Sequence, residues 1–346
     1  MGRGRRGGKR GKTMVYIGVW LHNVAELLEA EDGVMLTRVP DRLRMAVNPG
    51  VQSLALHGTG VEIRFNLKSK EARIILKSKE ERTSIGEVYQ GNFLFSTYLI
   101  NNRNSEVIIS LPGNIEKLKE VSQKEGHPFN AGLTRVILPY RATCVIVDIE
   151  GEFELPRKEQ LPAKSYLAYG SSITHGATAT RPTGTYAMRT AHLLGVDLIN
   201  LGFCGSALCE KEMADYIAGR NDWDFASLEM GINMIGGFDV SEFRKRVEYF
   251  VPAIAKAHPD KDIFCIDMFT FYMDMEKEER RHKLFRKVVR DVVKEVNSDK
   301  VIHIDGRKLL RNWSGLCTDL VHPSPSGMEE IAGNLAGIMS KKVKGK

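Results

Sequence analysis

The chain has 346 residues, 42% hydrophobic and 27% charged, which is enough for two ordinary domains and unlike the composition of a disordered chain. Its net charge of +7 comes from its ends: the first twelve residues carry six positive charges, and Lys341, Lys342, Lys344 and Lys346 carry four more. That leaves about −3 on the body, a balance that argues against nucleic acid as a partner.

Residues 1–13 read as a disordered basic tail, since Gly/Arg-rich sequence has nothing to bury, and residues 341–346 as a second basic tail. No apolar segment behind the head resembles a signal peptide, and no run of about 18 apolar residues offers a membrane-spanning helix, so no membrane is expected. The cysteines (Cys144, Cys204, Cys209, Cys265 and Cys317) are odd in number, scattered and without Cys-x-x-Cys spacing, which disfavours a disulfide framework or a zinc cluster. Cys144, Cys204 and Cys265 lie in apolar runs, as small core residues do. These features point to a cytoplasmic protein.

Residues 14–160 predict a β-sandwich. Val61, Ile63, Phe65 and Leu67 alternate with Glu62, Arg64 and Asn66, the period of a half-buried strand. Similar runs follow at 72–76, 93–100, 107–110, 134–138 and 143–149, separated by turn clusters such as Asn101–Ser105. Residues 114–124 read as a helical excursion. Arg38, Arg42, Arg44 and Arg141 read as solvated charges, with a shared cleft as the alternative. The polar segment 154–162, with Pro156 and Pro162, suits a domain linker.

Beyond it, over 161–340, apolar runs alternate with amphipathic stretches. The runs are 166–169, 198–203, 225–230, 263–268 and 301–304; the stretches lie near 185–194, 209–219, 241–257, 276–296 and 326–340. This alternation predicts a parallel five-stranded sheet between helices, a flavodoxin-like three-layer α/β/α domain. In such a sheet, ligands bind beyond the carboxyl ends of the strands. Four segments fall there: Gly170-Ser171-Ser172-Ile173, Asn200 to Ala207, Gly231-Ile232-Asn233-Met234, and Asp319-Leu320-Val321-His322-Pro323. A serine hydroxyl is a weak nucleophile that needs a base, and the last segment supplies an imidazole with a carboxylate three residues before it.

In this order the four segments resemble the conserved blocks of the SGNH/GDSL hydrolase superfamily, over about residues 164–340. The upstream sandwich resembles that of the superfamily's two-domain esterases, which include carbohydrate acetyl esterases. The resemblance implies Ser172 as nucleophile, His322 as general base and Asp319 as its orienting acid. It implies an oxyanion hole of the backbone N–H groups of Ser172 and Gly205 and the side-chain amide of Asn233. Two positions depart from the family pattern. Ser171 stands where an acid usually precedes the nucleophile, and Met234 stands where an acid usually follows the asparagine.

Taken singly, Ser172 would be a helix cap, Asp319 a loop hydrogen-bonder and His322 a packed ring; jointly, at the right strand ends, the catalytic reading prevails. His175 reads as a cleft-lining group, His192 as a surface or helix-packing residue, and Asp267 and Asp305 as rim residues without an assigned role. Cys204 has no base placed for it. No phosphate loop and no metal-ligand spacing is present, so the expected mechanism uses no metal or cofactor. The expected function is hydrolysis of short acyl esters, acetyl above all, of a carbohydrate or small polyol. The alternatives are an acyltransferase with the same triad and an inactive sugar-binding protein. A homo-oligomer is allowed.

Overall fold

The computed structural model describes residues 14–276 and 280–343. The predicted head at 1–13 and the end of the predicted tail at 344–346 lie outside the described residues. Lys341 and Lys342 continue the last helix, Pro325–Val343, because Val343 still packs into the core.

The N-terminal half is a sandwich of two antiparallel sheets. One contains seven strands, in the order Met14–Tyr16, Val19–His22, Glu62–Leu67, Thr134–Ile137, Ser84–Gln90 and Phe93–Ile100, with Phe153–Glu154 added beside Glu62–Leu67. The other runs Glu26–Ala30, Gly33–Thr37, Cys144–Glu150, Glu71–Ser78 and Ser105–Ser110. Glu71–Ser78 shows why these segments are strands: Ala72, Ile74 and Leu76 point inward while the residues between them are more exposed. The helix Ile115–Lys124 interrupts the strands as expected. Two short helices that the β-rich reading missed, Asp41–Ala46 and Pro49–Leu54, follow Gly33–Thr37 and pack on the second half through Leu43, Val51 and Leu54.

The C-terminal half is the expected parallel sheet. Its strands, Ser165–Gly170, Asp197–Gly202, Phe225–Glu229, Ile263–Ile266 and Val301–Ile304, are ordered 2-1-3-4-5 along the sheet. Each is an apolar run because helices cover both faces. Lys211–Gly219, Val240–Ala257 and Arg281–Val296 form one core, and Tyr186–Leu194 with the last helix forms the other. The order reverses between the first and third strands, and in open sheets of this kind ligands bind at the carboxyl ends beside such a switch point.

One expectation changes at the junction of the halves. The strand Glu62–Leu67 is buried on both faces, not half-buried. Its apolar residues fill the sandwich, and its polar residues meet the parallel sheet. Arg64 donates through both Nη atoms to Asp197 at 2.7 Å, and Glu62 accepts from Arg64 and Arg135. The segment expected as a linker is also tied down, with Gln160 buried in a reciprocal amide pair with Asn66.

Candidate active site

The first strand ends at Gly170, where no side chain would fit: a Cβ there would collide with Thr174 and Glu229. Ser171 caps the one-turn helix Ser172–His175, its Oγ accepting the Ile173 N–H at 3.1 Å. Gly176, at φ +105°, ends that turn in the left-handed region. The turn lifts Ser172 to the rim of the sheet, where it is 8% exposed.

Beneath the turn lies Glu229, the last residue of the third strand, which the sequence reading did not single out. Its Oε2 accepts the Ser171 N–H at 2.6 Å and the Thr174 hydroxyl at 3.1 Å. Burial pushes its carboxyl above the usual carboxylate range, against the opposing pull of Ser171 and Thr174. Its Oε1 is buried without a hydrogen-bond partner. A carboxyl thus lies directly beneath the serine turn, supplied by another strand and not by position 171. A charged residue within the apolar run 225–230 was the signal that could have revealed it.

The loop before the last helix brings the base. Asp319 Oδ1 accepts the N–H groups of Val321 and His322, both at 3.0 Å, closing a local turn. Leu320 sits in the left-handed region at φ +53°, and the Tyr272 N–H donates to its carbonyl at 2.9 Å. Asp319 Oδ2 lies 2.7 Å from His322 Nδ1, and His322 Nε2 lies 2.8 Å from Ser172 Oγ. A carboxylate only accepts, so Nδ1 carries the proton and Nε2 presents its lone pair to the serine hydroxyl. Burial pushes the Asp319 carboxyl up, but the His322 ring and the two N–H groups outweigh it and hold it below its ordinary value.

The oxyanion candidates sit on neighbouring loops. Gly205 has φ +66°, and a Cβ there would meet nothing. The backbone conformation itself calls for glycine here. Asn233 Oδ1 accepts the Ala207 N–H at 3.2 Å, which leaves its Nδ2 hydrogens without an acceptor among the described residues. The Ser172 N–H belongs to the first turn of its helix, where donors have no intrahelical acceptor.

Several expectations are corrected. His175 lines no cleft: it is fully buried, its Nδ1 donating to the Gly202 carbonyl at 2.9 Å and its Nε2 lying 3.3 Å from His57 Nδ1. Arg38 is not solvated but 1% exposed, between the two halves. Cys204 is only half-buried, whereas Cys209 is a core residue. Asp267 is buried, accepting from the Gly306 N–H and paired with His303, and Asp305 pairs with Arg307, so neither is placed by a contact with the triad. His192 is exposed, as a surface residue would be, and borders a cavity of about 360 Å³ between the two halves, away from the serine turn.

Comparison with known proteins follows the same lines. The sequence model described as the GDSL-like Lipase/Acylhydrolase family matches residues 163–340. A search of curated proteins returned no match. Among solved structures, the salicylyl-acyltransferase SsfX3 from a tetracycline biosynthetic pathway is 18% identical, over 95% of this chain and 96% of that one, with a TM-score of 0.79. A candidate GDSL-like lipase from Bacteroides ovatus is 20% identical, over 94% and 96%, with a TM-score of 0.70. A family two carbohydrate esterase from Clostridium thermocellum, in complex with cellohexaose, is 16% identical, over 82% and 92%, with a TM-score of 0.61. At these identities the likeness is one of fold, and it spans both halves of the chain.

Proposed function

The chain belongs to the GDSL-like lipase/acylhydrolase family, and from that premise we propose a serine esterase that cleaves short acyl esters, acetyl above all, of a carbohydrate or small polyol. Ser172 Oγ attacks the ester carbonyl while His322 Nε2 takes its proton. Asp319 holds the opposite ring nitrogen and stabilises the imidazolium that forms. The negative charge that develops on the carbonyl oxygen is met by the N–H groups of Ser172 and Gly205 and by Asn233 Nδ2. Each such donor contributes about 3–4 kcal/mol to the transition state. Collapse expels the alcohol, which takes the proton from His322, and leaves the acyl group on Ser172. Water then enters, His322 acts again as base, and the acid departs.

One observation carries this reading: an unbroken hydrogen-bonded file from Ser172 Oγ through His322 to Asp319, joined across 150 positions of sequence. The choice of a carbohydrate alcohol is supported by the sandwich-plus-hydrolase layout shared with the Clostridium thermocellum esterase. Transfer to an alcohol in place of water is the second reading, favoured by the likeness to the salicylyl-acyltransferase over nearly the whole chain. Hydrolysis of aryl acetates and acetylated oligosaccharides should fall at least about 10³-fold in Ser172→Ala and in His322→Ala. Undiminished hydrolysis by either variant overturns the mechanism. Product analysis with added sugar separates the readings, with transfer exceeding hydrolysis favouring the second.

A further inference from the structure

The described part of the molecule holds four deeply buried arginines: Arg38, Arg64, Arg135 and Arg286. Three of them rest on carboxylates: Arg64 on Asp197 and Glu62, Arg135 on Glu62, and Arg286 on Asp274. Arg38 does not; among the described residues no carboxylate lies within ion-pair distance of it. Instead it donates to four backbone carbonyls, with Nε to His57 at 3.0 Å, Nη1 to Asn200 at 2.9 Å, and Nη2 to Leu54 at 2.6 Å and Gly202 at 3.1 Å. Its guanidinium lies 4.8 Å from the centre of the Phe203 ring. Burial pushes its pKa down to about 9, so it is cationic at neutral pH.

A buried charge without a counter-ion is costly to keep. The carbonyls it holds indicate its use. Asn200 and Gly202 end the second strand, and the chain then turns through Phe203 and Cys204 to Gly205. The Gly202–Phe203 peptide is fixed on both sides. Its carbonyl takes hydrogen bonds from Arg38 and His175, and its N–H donates to the Gly170 carbonyl at 2.8 Å. Those partners come from three places: the sandwich, the serine helix and the end of the first strand. Since Gly202 only accepts there, His175 carries its proton on Nδ1, and His57 donates from Nδ1 to His175 Nε2.

We propose that Arg38 is a positioning residue for acyl chemistry: from the sandwich, its fork fixes the peptide that aims the Gly205 N–H at the developing oxyanion. The inference rests on the esterase reading of this site. A lysine at position 38 keeps the charge but cannot hold four carbonyls in that geometry.

The test uses the full chain as wild type, Arg38→Lys and Arg38→Gln. Each variant is checked for native folding by circular dichroism and thermal melting. Steady-state kinetics on an aryl acetate are combined with inhibition by an alkyl boronic acid, which forms a tetrahedral, oxyanion-like adduct with the serine. A displaced donor lowers kcat about 10–100-fold in Arg38→Lys with KM within about twofold, and weakens boronate binding by a similar factor. A folded variant with wild-type kcat, or one whose kcat falls while boronate affinity does not, overturns the proposal and leaves the esterase reading standing. A wild type that neither hydrolyses the ester nor binds boronate sinks the esterase reading itself, and this inference with it. Arg38→Lys retains most of the volume and the charge, so it answers the question even where Arg38→Gln does not fold.

Discussion

Asp319 uses its two oxygens differently. Oδ1 closes the turn through two backbone N–H groups, and Oδ2 holds the His322 ring. Asparagine at 319 keeps the first role, since its carbonyl can still accept both N–H groups. It spoils the second by presenting an amide donor to Nδ1, which favours the wrong tautomer. Asp319→Asn should therefore melt near the wild-type temperature but lose about 10⁴-fold in kcat. A variant with near-wild-type kcat would remove Asp319 from the mechanism.

Glu229 poses the opposite problem, a carboxyl pushed up by burial beneath the nucleophile. A raised folded pKa favours the native state while the group is protonated. That advantage is lost as pH rises from the ordinary carboxylate range through the folded value. Glutamine at 229 can still accept from Ser171 N–H and Thr174, and it does not ionise. The melting temperature of Glu229→Gln minus that of wild type should grow as pH is raised from about 4.5, the ordinary glutamate range. A difference that is flat with pH would show that Glu229 titrates alike in both states.

At the scale of elements, the serine turn explains its own departure from the family pattern. Ser171 and an aspartate would cap the helix equally well. Aspartate, however, would set a second carboxylate against Glu229, whose Oε2 is 2.6 Å from the residue-171 nitrogen. Ser171→Asp should destabilise the fold by roughly 1–3 kcal/mol, and adding Glu229→Gln should restore most of that loss. Urea melts of the two variants give the comparison, and an unrelieved double variant would refute the charge argument.

The same element shows what a sequence can and cannot reveal. The parallel strands were legible because both their faces are covered, which leaves uninterrupted apolar runs. Ser172 was legible because it falls at the end of such a run, and Asp319 and His322 because they share one short loop before the last helix. Arg38 was not, since an isolated arginine is usually solvated and its acceptors are backbone carbonyls, which leave no mark in the side-chain pattern. Nor could the period-2 pattern of Glu62, Arg64 and Asn66 show whether their polar face meets water or a second domain.

At the scale of the whole molecule, that polar face makes the halves interdependent. Glu62 is held down to about 2, because Arg135 and Arg64 overcome its burial, and Asp197 is held well below its ordinary range by Arg64 against the same penalty. Depressed carboxyl pKa values stabilise the fold above the ordinary carboxylate range, and that contribution is lost as pH falls through the folded values. Acid should loosen this junction. Asp197→Asn leaves the Arg64 charge buried with Glu62 as its remaining counter-ion, at a cost of about 3–5 kcal/mol in an equilibrium melt. A loss below about 1 kcal/mol would mean that water reaches Arg64.

The junction also bears on whether the hydrolase half can stand alone. His22, Asn23, Arg38, Asn48, Thr59 and Arg64 all donate to, or share a hydrogen bond with, atoms of that half. Their partners are the carbonyls of Leu198, Asn200, Gly202, Ser206 and His175 and the carboxylate of Asp197. Four of those carbonyls lie along the second strand and the loop that carries Gly205. Val39, Val51 and Ala55 belong to the same apolar core as the hydrolase strands. Without residues 14–160, this apolar surface and these acceptors meet water, and the Gly205 loop loses its holder. A chain of residues 161–346 should therefore be poorly soluble, or folded with kcat lowered by about 10²-fold or more, the size of losing an oxyanion donor. Supplying residues 14–160 as a separate chain should recover activity in proportion to the complex formed. Full activity from residues 161–346 alone would mean that the sandwich is only an appendage and that the site assembles without it.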